Sequence, residues 1–111
     1  VEKPQGRFTR PDMILAIDHD GYNRWYLEFM PVIHNRRHFS SMNYSMLYGR
    51  IAMYELSDTD KFTIVVNEEE VFNRIVKRPP LSLRANLYVM LIDLEWGKIL
   101  KEEMLCKYRK D

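Results

Sequence analysis

Asp18 and Asp20 stand one residue apart at the end of an apolar run, ILAIDHDG. Two carboxylates so placed can grip a hard divalent cation, or divide nucleophile and proton-donor roles between them. His34 and His38 lie four apart, the spacing that sets two imidazoles on one helical face and that zinc proteases use. Asn35, Arg36 and Arg37 fill the interval, so a carboxylate base is missing and two cations crowd the site. Cys106 has Lys107 beside it and no histidine near in sequence, which points to an inert, half-buried thiol. A Gly-rich phosphate loop and a Gly-x-Ser-x-Gly elbow are both missing. The expectation is therefore a chain without catalytic residues, metal or cofactor, with Asp18 and Asp20 as its weak catalytic candidates.

The segment ILAIDHDG resembles the first motif of the haloacid dehalogenase phosphatases, an apolar strand ending in Asp, any residue, Asp, Gly. That resemblance implies Asp18 as nucleophile, Asp20 as acid/base and Mg²⁺ between them. It covers about nine residues and departs at Tyr22, where the family has Thr or Val. The chain is also too short for the family's helix-layered parallel sheet. The same segment is similar to the start of dihydrofolate reductase, with Gly49-Arg50 and LYVMLID as further echoes. There Asn35 stands in place of the catalytic acid, and a Gly-Gly cofactor turn is missing. The plain reading is structural: Asp at the first position and Gly21 at the last make a type I turn over residues 18–21.

Binding residues are better represented. Interleaved Arg and aromatics serve single-stranded nucleic acid, with cations for phosphate and rings for base stacking. Arg36, Arg37 and His38 in HNRRHF, with Lys107, Tyr108, Arg109 and Lys110 in the tail, fit that pattern. A solvated face is the plain alternative. Alternation along RWYLEFM places Trp25, Leu27 and Phe29 on one face, read as core, and Arg24, Tyr26 and Glu28 on the other, read as outer. Arg24, Tyr26 and a turn-tip Trp96 suit a protein interface, where Tyr, Trp and Arg dominate. The leading expectation is a non-enzymatic module that binds another protein or itself through these residues or a sheet edge. Single-stranded nucleic acid and Mg²⁺-dependent phosphoryl transfer at Asp18 and Asp20 are the alternatives.

Composition bounds these readings. With 17 basic and 16 acidic residues the net charge is +1, so no global field draws the chain to nucleic acid or membrane. A lone cysteine excludes an internal disulfide and fits a reducing cytoplasm, or a virion or host cell if the source is viral. No apolar run approaches the ~18 residues of a spanning helix. A chain of 111 residues supports one domain, residues 12–111, behind a loose arm at 1–11 that holds two prolines and a glycine.

The elements that must carry these residues follow from periodicity. Along residues 84–108, Leu87, Val89 and Leu91 point one way and Tyr88, Met90 and Ile92 the other, which predicts an interior strand. Asp93 and Gly97 bound a turn, and residues 98–109 read as a second strand or, alternatively, a helix. The start of the chain echoes this with a hairpin of its own. Between them, Leu47, Ile51 and Tyr54 predict a helix over 42–56, FTIVV a strand, and Val71, Phe72, Ile75 and Val76 a helix capped by Asn67. The fold expected is α+β, ββαβαββ: a mainly antiparallel sheet of two terminal hairpins and a middle strand, with two helices on one face.

Overall fold

The computed structural model describes residues 11–30 and 44–109. The expected arm, apart from Pro11, lies outside the described residues, as do His34, Arg36, Arg37 and His38. Strands β1 (Met13–His19) and β2 (Tyr22–Phe29) come first, then helix α1 (Tyr44–Ala52), strand β3 (Asp60–Val66) and helix α2 (Glu69–Lys77). Strands β4 (Asn86–Asp93) and β5 (Lys98–Cys106) close the order ββαβαββ. Residues 98–106 are thus strand, not helix.

Both terminal hairpins form, each through glycine. Asp20 and Gly21 have φ of 56° and 83° between the paired residues His19 and Tyr22. Two central residues at positive φ are the mark of type I′ hairpin turns, whose twist matches that of the flanking strands. This replaces the type I turn expected over residues 18–21: Asp18 belongs to β1, and Asp20 with Gly21 makes the bend. At the second hairpin the Gly97 amide donates to the Asp93 carbonyl at 2.8 Å, and Asp93 Oδ1 accepts from the Glu95 amide at 2.9 Å. Gly97 itself has φ of 64°.

The five strands lie in chain order, β1-β2-β3-β4-β5. The outer pairings are antiparallel, whereas β2 with β3 and β3 with β4 are parallel. The sheet is mixed rather than mainly antiparallel. Each helix is a crossover that brings the chain back to the end from which the previous strand started, so the strand that follows runs parallel to it. Strand β3 shows the matching composition: Phe62, Ile64, Val65 and Val66 are buried with no polar alternation, as in parallel interiors.

Both helices settle on one face. Leu47 and Ile51 of α1, and Val71, Phe72 and Ile75 of α2, share a cluster with Phe62, Ile64, Val66, Leu87, Val89 and Leu91. Burying the three α2 side chains contributes on the order of 5 kcal/mol before ordering costs are subtracted. The residue before α2 is Glu68, extended at φ −125° and without a side-chain cap bond, so the cap expected at Asn67 sits one position too early. Glu69 and Glu70 still meet the positive end of the helix, and Arg74 and Lys77 the negative end. Helix α1 ends at Ala52, earlier than the periodicity of 42–56 suggests. Its end tightens, with Tyr54 and Glu55 amides donating three residues back, and Glu55 turns to φ 53° so that Leu56 enters the core. No described helix is long and apolar enough to cross a membrane.

Candidate functional site

Residues that pair across strands share a face, so the registers determine what lies opposite the helices. Met13 pairs with Leu27 and Leu15 with Trp25. Leu27 pairs with Thr63 and Phe29 with Val65, Thr63 with Tyr88 and Val65 with Met90, then Tyr88 with Met104 and Met90 with Glu102. Leu27, Val65 and Met90 form a small buried cluster flanked by Trp25 and Ile92. Around it Met13 is 44%, Phe29 40%, Met104 40% and Leu15 37% exposed. Among the described residues no second layer covers this face.

Its centre is a cation held by rings. Lys61 Nζ lies 4.7 Å from the Trp25 ring centroid and 4.5 Å from that of Tyr88, and 3.2 Å from Glu102 Oε2. The Trp25 indole N–H donates to Thr63 Oγ1 at 2.7 Å, which fixes the larger ring. Tyr22 and Tyr88 hydroxyls share a hydrogen bond of 3.0 Å with the rings edge to face. Burial first, then that bond, pushes the Tyr88 hydroxyl well above the ordinary phenol range. Lys61 and Glu102 neutralise one another, so the face presents a polar centre without net charge inside an apolar rim.

This reverses the two faces of β2 read from alternation. Tyr26 was placed on the outer face, yet it stacks on Phe62 at 6.1 Å and lies 6.4 Å from Tyr54, inside the helix-side core. Trp25, Leu27 and Phe29, read as core, lie on the side opposite the helices, where Leu27 is buried in the smaller cluster and Phe29 is left open among the described residues. Arg24 goes with Tyr26: its guanidinium sits 5.9 Å from the Tyr26 ring and its Nε 3.3 Å from the buried Asp60 carboxylate. Trp96 is 74% exposed at the β4–β5 turn. Asp18 and Asp20 are both exposed, and Asp20 lies 3.2 Å from His19. No group of three His, Cys, Asp or Glu side chains gathers around them among the described residues.

The tail residues form a separate place. The Tyr108 amide donates to Asn86 Oδ1 at 3.0 Å, and Arg84 lies 5.5 Å over the Tyr108 ring. Lys107 and Arg109 flank Tyr108 and are exposed. The Cys106 thiol points at the Ala85 carbonyl, 3.4 Å away, and burial pushes its pKa up, which suits a packing role. Glu28, read from alternation as an outer residue, lies instead on the helix side of β2 beside Arg50. Its Oε2 is 3.8 Å from Arg50, while its Oε1 is buried and has no hydrogen-bond partner among the described residues. Burial foremost, then the charge of Asp12, raises its pKa against the opposing pull of Arg50. Comparison with family models, with curated proteins and with solved structures returns no match for this chain.

Proposed function

We propose that this chain is a non-catalytic interaction module whose sheet face opposite the helices receives an apolar surface of a partner protein, in the reducing cytoplasm. One observation carries the reading: Met13, Leu15, Phe29 and Met104 are left open around a buried cluster on a face without a described covering layer. Exposed apolar groups gathered on one face around a buried cluster, unlike scattered ones, mark contact sites. The charge pattern names the chemistry of the partner. Lys61 is already matched by Glu102, so the face offers a polyanion little and an apolar, uncharged surface much. The lone thiol of Cys106 supports the compartment.

Affinity capture of the tagged chain from its native cell tests this, run beside a Leu15→Ser, Phe29→Ser double variant and with and without nuclease. Partners that survive nuclease and vanish with the double variant support the reading. Retention of the same partners by the variant, or their release by nuclease, rejects it. Sedimentation of the purified chain then separates a second copy from a different protein.

A further inference from the structure

Residues 79–84, which lead into β4, and residues 105–109, which end β5, enclose a cleft of about 500 Å³. Among the described residues its charged lining is wholly cationic: Arg84, Lys107 and Arg109, with the Ser82 hydroxyl among them. We propose that this cleft binds a phosphate-bearing ligand of nucleotide size, independently of the apolar sheet face.

Three observations combine here. Five cations elsewhere on the described surface have carboxylates of their own: Arg24 with Asp60, Arg50 with Glu28, Lys61 with Glu102, Arg74 with Glu70 and Lys101 with Glu69. Lys107 and Arg109 have none among the described residues, so their charge is uncompensated where it meets the cleft. The cleft is ~10 Å across if taken as a sphere, about one screening length at physiological salt, so its cations act together on one anion.

The walls are held in place. Cys106 Sγ at 3.4 Å from the Ala85 carbonyl ties β5 to the loop, and the Tyr108 amide bonded to Asn86 Oδ1 at 3.0 Å ties the tail to β4. Arg84 rests on the Tyr108 ring, which orients its guanidinium. The size falls in the range of small-molecule sites, roughly 300–1,000 Å³. Leu83 and Leu105 supply an apolar wall beside the cations, where a base or other ring can lie. Phosphate fits better than a single carboxylate because a monoester carries nearly two negative charges and three acceptor oxygens. Arginine's fork also meets those oxygens two at a time. A free nucleotide and the phosphorylated end of a single strand share this chemistry.

The test is a ¹⁵N–¹H NMR titration of the whole chain with adenosine monophosphate, neutral adenosine, inorganic phosphate and a short 5′-phosphorylated single-stranded DNA. The monophosphate shifts amides in residues 81–84 and 105–109, and adenosine does not. A Lys107→Ala, Arg109→Ala variant, checked for an unchanged amide spectrum elsewhere, binds about tenfold more weakly with a flatter salt dependence. Tighter binding of the DNA than of the monophosphate assigns the site to strand ends, and equal binding assigns it to the free nucleotide. Unchanged affinity in the variant, shifts confined to other residues, or no shift at all overturns the proposal.

Discussion

Phe29→Ala is the sharpest probe of the sheet face, because the side chain is exposed while its backbone is anchored. The ring is 40% exposed. Since an aromatic buries up to ~200 Å², about 80 Å² of Phe29 remains for a partner to cover. At ~25 cal/mol per Å² that area is worth about 2 kcal/mol, roughly a thirtyfold rise in Kd on truncation. The strand itself stays in place, because the Phe29 amide still donates to Asp12 Oδ2 at 2.7 Å and the β2–β3 pairing is untouched. The ~120 Å² already covered in the free chain is worth roughly 3 kcal/mol at the same rate, so truncation also lowers stability by about that much. Isothermal titration against the identified partner gives the first quantity, and urea unfolding of the free chain gives the second. An affinity that falls less than about threefold while the variant remains folded would show that the partner does not cover Phe29, and the assignment of this face would fail.

Two further outcomes test the internal structure. Glu28 holds its proton more tightly folded than unfolded, so its contribution to stability falls as pH rises from the ordinary carboxyl value of 4.5 through the raised folded value. Glu28→Gln flattens that decline and stabilises the chain at neutral pH by about 1 kcal/mol, because a neutral amide costs less to bury and the Arg50 contact at 3.8 Å is weak. Urea midpoints between pH 4 and 8 check this, and a variant that is less stable throughout contradicts it. Thr63→Val keeps volume at a wholly buried position but removes the acceptor of the Trp25 indole, costing about 1–2 kcal/mol. An unchanged urea midpoint there would mean that the indole finds another acceptor.

How far the chain could be read in advance depended on whether the signal was local. Strand β4 was legible because Leu87, Val89 and Leu91 alternate with Tyr88, Met90 and Ile92, and α2 because Val71, Phe72 and Ile75 repeat at the helical period. Each hairpin announced itself through Gly21 or Gly97. The direction of the central pairings was not legible, since it depends on where each crossover returns the chain. Nor was the sidedness of β2, because Trp25 and Tyr26 are both large aromatics and alternation names two faces without saying which one the helices take. The Trp25, Lys61, Tyr88 cluster joins three strands distant in sequence, and its one local trace was a lysine heading the apolar run FTIVV. Among the cations proposed for binding, Lys107 and Arg109 come together with Arg84, a residue that entered the sequence reading only as the start of a stretch. Arg36, Arg37 and His38 lie outside the described residues.

The placement of β3 sets how this chain can reach its native state. Its two neighbours are both parallel to it, so neither pairing can be made by a short reversal. The terminal hairpins, by contrast, close within a few residues and can zip in microseconds. Assembly thus runs from the rims inward, and the most water-averse segment waits longest for its partners, through two slow loop closures. During that interval FTIVV is a bare β-prone tract, the kind of segment that seeds intermolecular association. Refolding yield will fall with protein concentration well before native solubility is reached, and an acidic replacement at Lys61, which borders this tract, will not cure it because the tract itself remains.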